Sequence, residues 1–331
     1  MQTPHLFLDA NAKLSFLGAG LSLGQSLSGV SLAPNALRNA GVETAIQNLG
    51  FIFCDEGDLN FSIVHSKELT QSGCIKNEIE NGNACHLIAE KVQKLAAQKH
   101  FCLNIGGDHS IAIGTICGLL RQWPNLSVIW VDAHADFNSP NTSPSGNLHG
   151  MPLAALTAAF SLNEFDSFKW FDQTISPSRV ALVGVRSIDD GEKELLRQSG
   201  MRVFTMSEVD RFGIGRVMEM ALKAVNPNGD RPLHLSYDID ALDPSIAPST
   251  GTRVRGGLNY REAHYIAEAV AETRCLVSMD MVEINPSISE SSGDEIKLNA
   301  QNNETVELAL EILESALGKR ILDLGLNLET A

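Results

Sequence analysis

No stretch of the sequence stays apolar for the ~20 residues a membrane-spanning helix needs, so no membrane partner is expected. Positive charge is scarce. Lys and Arg number 25 against 40 Asp and Glu, a formal net charge of −15. A partner made of nucleic acid or anionic lipid is therefore not expected. The deficit mildly favours a cationic substrate, although salt limits surface charge to a reach of about 8 Å; solubility alone also accounts for it. The six cysteines include no CxxC pair, which fits reduced thiols and a cytoplasmic location. Met1 to Asp9 lacks a basic residue before its short apolar stretch and makes a poor signal peptide. No Pro-, Gly- or Ser-rich linker divides the chain and no repeat is visible. The expectation is one domain over residues 1–331, with a C-terminal tail over about 318–331. That tail is apolar near residues 320–324, which suits either a subunit contact or packing on its own domain. Gly18-Ala19-Gly20-Leu21-Ser22-Leu23-Gly24 follows a strand-like run, but its spacing is wrong for a dinucleotide-binding loop.

What is present is a regular alternation. Strand-like runs cover residues 13–17, 50–54, 101–105, 127–132, 179–185, 201–205, 233–238 and 276–280. Between most of them lie amphipathic stretches, clearest at 77–99, 214–225 and 262–273, and a last helix is expected at about 304–317. Strands alternating with helices predict an α/β fold, a largely parallel sheet with helices on both faces.

Three of the apolar runs end in metal-ligand residues: Gly106-Gly107-Asp108-His109, Asp132-Ala133-His134-Ala135-Asp136 and Asp238-Ile239-Asp240. Buried parallel strands are continuous apolar runs, and open α/β sheets place ligands beyond the carboxyl ends of their strands. Asp132, His134 and Asp136 alternate, so an extended backbone turns all three to one side; Asp238 and Asp240 share a side for the same reason. Four carboxylates carry about −4, which balances two divalent cations. Mostly oxygen ligands with two imidazoles suit Mn²⁺ best, with Co²⁺ or Fe²⁺ as substitutes. Asp108 is either a ligand or a partner that orients one. These features point to a metal-assisted hydrolase.

The same residues resemble the signature segments of the ureohydrolases, binuclear manganese hydrolases of guanidino compounds. The carriers are Gly106 to Ser110, Asp132 to Asn138 and Ser236 to Pro244. Four further segments, Ser145 to Gly150, Val185 to Glu192, Met206 to Gly215 and Met281 to Pro286, are similar to arginase in particular, and the likeness runs over about residues 16–286. It implies a three-layer α-β-α sandwich around an eight-stranded, mainly parallel sheet, and a homotrimer or homohexamer. It implies that His109, Asp132, His134, Asp136, Asp238 and Asp240 hold two Mn²⁺ ions, with Asp132 and Asp240 at positions that bridge both ions or bind the second. It further implies conversion of L-arginine to L-ornithine and urea, by attack of a metal-bridging hydroxide on the guanidinium carbon. Glu283 would bind the guanidinium, His149 would shuttle protons, and Asp136 would pass a proton to the leaving amine. Asn138, Ser143, Ser145 and Asn147 would donate to the α-carboxylate, and Asp189 and Glu192 would accept from the α-ammonium.

Other readings stand beside these. Asp189, Asp190 and Glu192 also suit the acidic first turn of a helix, and Glu283 suits a salt bridge to Arg274. His5, His65, His86, His100, His234 and His264 lack comparable settings and are expected on the surface or in the core. The sequence departs from arginases near Gly20, where proline is usual, and lacks several basic residues between Gly24 and Val30. An agmatinase or other guanidino-acid hydrolase is the main alternative; it has less use for a polar hook at the α-carboxylate. A one-zinc amide hydrolase and a non-catalytic metal-binding protein are further alternatives, separable by counting metals and assaying urea.

Overall fold

The computed structural model describes residues 5–8, 13–61, 74–288 and 303–320. Among these, one sheet contains β1 (Lys13–Ala19), β2 (Ile52–Asp58), β3 (Phe101–Gly106), β4 (Ser127–Val131), β5 (Val180–Val185), β6 (Arg202–Thr205), β7 (Leu233–Asp238) and β8 (Leu276–Val282). Their order is β2-β1-β3-β8-β7-β4-β5-β6, and every ladder is parallel. The chain runs out to one edge through β4, β5 and β6, then returns through β7 and β8 to fill the space between β3 and β4. The helices are α1 (Ala33–Asn39), α2 (Val42–Asn48), α3 (Glu78–Ala97), α4 (Ile111–Gln122), α5 (Pro152–Leu156), α6 (Asp190–Ser199), α7 (Met206–Phe212), α8 (Ile214–Val225), α9 (Tyr260–Glu272) and α10 (Glu304–Ala316).

The four middle strands, β3, β8, β7 and β4, are buried along their whole length. Strands covered on both faces need apolar side chains on both, so runs such as Val128-Ile129-Trp130-Val131 show no alternation. This gives the three-layer α-β-α architecture expected from the sequence. Inside the core, the Asn104 amide donates to Asp280 at 2.8 Å and ties β3 to β8.

Differences from the expected elements have local causes. The edge strand β2 lies two to four residues further on than its apolar run, ending in Asp55-Glu56-Gly57-Asp58. An edge faces solvent, and cations from neighbouring helices cover these carboxylates: Arg38 reaches Asp55 at 2.8 Å and Asp58 at 2.7 Å, and Lys91 reaches Glu56 at 2.7 Å. β8 runs on to Val282 because Met281 and Val282 still pair with Tyr237 and Asp238. α9 starts before its apolar pattern because Asn259 and Glu262 close a capping box there. The expected tail lies outside the described residues beyond Arg320, as does most of the N-terminal stretch weighed as a signal. No described helix is long and apolar enough to cross a membrane.

β3 leaves the sheet through Gly106 and Gly107. Here Asp108 N–H donates to Leu21 O at 2.8 Å and Gly107 N–H to Ala19 O at 3.2 Å, seating the loop that follows β1. A Cβ on Gly107 would collide with the Leu21 carbonyl, so only glycine fits. Gly107→Ala is expected to cost about 1–3 kcal/mol of stability, read from denaturant unfolding; an unchanged midpoint would show that the loop yields freely.

Candidate metal centre and active site

All strands being parallel, their carboxyl ends share one edge, and the four middle strands bring their loops together there. β3 delivers His109, β4 delivers Asp132, His134 and Asp136, β7 delivers Asp238 and Asp240, and β8 delivers Glu283. His109 Nδ1 faces Asp132 Oδ2 at 3.0 Å, Asp136 Oδ2 at 3.1 Å and Asp238 Oδ2 at 3.2 Å. His134 Nδ1 faces Asp240 Oδ2 at 3.0 Å and Asp132 Oδ1 at 3.5 Å. Two groups of donors suited to a metal ion result, His109 with Asp132 and Asp238, and Asp132 with His134 and Asp240. Asp132 belongs to both, one oxygen turned to each; Asp240 belongs to one. Asp136 reaches the first through a left-handed backbone (φ 50°) that bends its carboxylate back toward His109.

Other side chains fix these donors. The His109 ring stacks on Trp130, centroids 4.0 Å apart, and its Nε2 lies 2.8 Å from Ser236 Oγ. Trp130 Nε1–H donates to Asp132 Oδ2 at 3.1 Å, and the Thr252 hydroxyl donates to Asp240 Oδ2 at 2.8 Å. Arg186 threads beneath the loop after β7, donating to Asp240 O at 2.8 Å and Ala241 O at 2.9 Å. Sequence reasoning gave none of these residues a role. Strand alternation could have found two of them, since Trp130 and Ser236 stand two residues before Asp132 and Asp238 and so share their face. Asp108 is not a donor to either group: it accepts from Gly24 N–H at 2.9 Å and from Ser110, and so anchors the loop after β1.

The charges fit a pair of cations. Burial, with Asp240 and Asp132 alongside, pushes Asp238 well above the carboxylate range. Burial and the charge of Asp132 lift Asp136 to about 7. Burial opposes charge on the imidazoles, yet the carboxylates outweigh it, raising His109 well above its ordinary value and His134 to about 12. His109 Nδ1 is wholly buried with no well-aligned hydrogen bond of its own, though three carboxylate oxygens crowd it. An orphaned nitrogen amid excess carboxylate is the arrangement a cation resolves.

Beside this cluster stands Glu283, also in a left-handed backbone (φ 63°). Its Oε1 accepts the backbone N–H of His109 at 3.0 Å and lies 3.1 Å from His149 Nδ1, and its Oε2 accepts from Gln25 at 2.8 Å. Arg274 is not among these partners. Burial works against charge on His149, but Glu283, with help from Asp108 and Asp136, raises it to about 9.

The residues expected to recognise the α-groups form a more open rim. Asn138 donates to Asp189 Oδ2 at 2.9 Å and joins the two loops. Ser143 Oγ is 3.5 Å from Ser145 Oγ, and Asn147 pairs with Ser26. Asp189 and Ser145 are exposed. Glu192 is 4% exposed and already accepts Phe137 N–H and Asp189 N–H, both at 2.8 Å. With Asp189 it closes a capping box on α6, as the helix-turn reading expected. The remaining described histidines stand apart from the donor groups: His86 stacks on Trp170, His100 bonds Ser15, His264 bonds Ser315, His234 is buried beside Asp280 and His5 packs near Phe51. His65 lies outside the described residues.

Residues 12–318 match the model of the arginase family. The chain is 41% identical to arginase from Glaciozyma antarctica over 96% of its own length and 90% of the relative's. Among solved structures it resembles arginase from Bacillus caldovelox, with a TM-score of 0.83, 38% identity, and 94% and 100% of the two chains covered. It also resembles arginase from Entamoeba histolytica in complex with L-ornithine, with a TM-score of 0.81, 29% identity, and 96% and 100% covered. The chain belongs to the arginase family.

Proposed function

We propose that this protein is an arginase, hydrolysing L-arginine to L-ornithine and urea at a centre of two Mn²⁺ ions. The observation that carries the proposal is the double role of His109. Its ring joins the donor group and its backbone N–H holds Glu283, so cation site and guanidinium acceptor are built on one residue. His109, Asp132, Asp136 and Asp238 would hold one ion and Asp132, His134 and Asp240 the other. When bound, two divalent cations supply the Lewis acidity that makes water a nucleophile at neutral pH.

The chain's own groups handle the substrate. Arginine keeps its guanidinium charged at any working pH, and a carboxylate matches it with paired hydrogen bonds. Glu283 takes that part. In the reaction the water oxygen bonds to the guanidinium carbon, the bond to the side-chain nitrogen breaks, and that nitrogen leaves as an amine needing a proton. His149, raised to about 9, carries a proton at neutral pH and stands beside Glu283 to deliver it. Asp136 takes the proton released by the attacking water and passes it to the same departing nitrogen, and His149 regains its own proton from solvent. Asn138, Ser143, Ser145 and Asn147 donate to the α-carboxylate. Asp189 accepts from the α-ammonium, while Glu192 holds the loop that carries Asp189. The L-ornithine bound by the Entamoeba arginase carries these same α-groups.

Metal analysis tests the centre. Asp132→Ala is expected to empty both positions and His134→Ala one; full occupancy in Asp132→Ala would refute the shared ligand. His149→Asn should keep both metals and slow urea release by roughly 100-fold or more, and an undiminished rate would remove His149 from the chemistry. Asn147→Ala or Asp189→Ala should weaken arginine by about tenfold while sparing agmatine, which lacks the carboxylate; equal losses would refute the recognition of the α-groups, and a wild type preferring agmatine would refute arginase itself.

A further inference from the structure

The loop after β1, residues 20–29, received no site role from the sequence, yet it touches Asp108, His149, Asn147 and Glu283. Gly24 N–H donates to Asp108, and Gly24 O accepts His149 N–H at 3.1 Å. Ser26 pairs with Asn147, and Ser28 O accepts from Asn285 at 2.9 Å. Between them Gln25, 8% exposed, donates its amide to Glu283 Oε2 at 2.8 Å. We propose that Gln25 is a positioning residue: it holds the Glu283 carboxylate in the plane at which a guanidinium finds one free lone pair on each oxygen. The proposal rests on Glu283 being the guanidinium acceptor.

Counting acceptor sites gives the reason. A carboxylate offers about four lone-pair sites, two per oxygen. Oε1 meets His109 N–H and His149 Nδ1, while Oε2 meets only Gln25. A guanidinium bound through two parallel N–H groups needs one site on each oxygen. Oε2 has one open and Oε1 has none, so His149 must leave as the substrate arrives. What stays is symmetric: the His109 N–H on one oxygen, Gln25 on the other. The stem of Glu283 is already set by its left-handed backbone and by its N–H bond to Gly107 O at 2.9 Å. The rotation left to the carboxylate is the part these two donors fix. The amide oxygen of Gln25 lies beside Gly251, where an added Cβ would come within 3.3 Å of it, so a larger residue there would crowd the Gln25 side chain.

Gln25→Met keeps the length of the side chain and removes the donor. With manganese-loaded protein, kcat/KM for arginine is expected to fall about 10- to 100-fold, while the inhibition constant of ornithine, which lacks the guanidinium, stays within about twofold. Metal content should remain that of the wild type, and a crystal structure of the variant should show the Glu283 carboxylate rotated off the His109 N–H. Equal losses for arginine and ornithine, an unchanged kcat/KM, or a carboxylate left in place would overturn the proposal. A wild type that releases no urea would instead overturn the functional reading, and the variant's crystal structure would still decide the part played by Gln25.

Discussion

Four aspartates meeting at the end of a buried sheet are the constraint on which the rest of the structure depends. Carboxylates removed from water repel one another and take up protons unless positive charge is placed among them. Two imidazoles supply part of that charge, and they leave Asp136 and Asp238 raised. In the proposed centre cations would supply that charge instead, since an imidazole gives up its proton to ligate a metal. Until they bind, the donors must be held against their own repulsion. Trp130, Ser236, Thr252 and backbone N–H groups do this, Ala133 N–H on Asp240 and His134 N–H on Asp132 included. The left-handed backbone at Asp136 and Glu283 is a further cost accepted to aim a carboxylate.

Chemistry and recognition are divided between strand ends and loops. Asp132 and His109 are fully buried, His134 is half-buried, and Asp189 and Ser145 are exposed. That gradient marks the direction from which a small molecule enters. It also matches rigidity to need. A bond-breaking group must sit within fractions of an ångström, which strand ends provide, while the proposed recognition of α-groups would fall to polar side chains on loops tied to each other through Asn138 and Asp189.

The sequence showed the central strands as unbroken apolar runs and the donors by their alternate spacing. Asp132, His134 and Asp136 are spaced as an extended segment requires, and they follow an apolar run that only a doubly covered strand explains. In a helix, where burial erased the amphipathic period, the pattern was silent. α4 is buried on all sides from Ile111 to Leu120, so no amphipathic spacing reveals it. The polar half of β2 was hidden for the opposite reason, an edge that solvent and Arg38 satisfy. Gln25 was illegible because its meaning is a contact between residues 258 positions apart. Glu192 was legible twice over, in the first turn of a helix and as a polar rim residue; only the structure shows each of its oxygens already accepting a backbone N–H, from Phe137 and from Asp189.

The pairing of His149 with Glu283 acquires a purpose once the substrate's charge is considered. Without substrate, Glu283 is a buried carboxylate, and a charge placed there needs a cation beside it. The imidazolium of His149 stands in that place, and Glu283 is the reason its pKa is high. With Glu283 as the proposed guanidinium acceptor, arginine would bring a permanent positive charge to the same carboxylate. The exchange would leave the charge at Glu283 balanced while removing what held the proton on His149. His149 would then become a stronger acid at the moment an amine is about to leave. A neutral substrate of the same shape would not displace the imidazolium and would gain no acid. Selection for a charged guanidinium and delivery of the proton are, on this reading, two consequences of one ion pair changing partners.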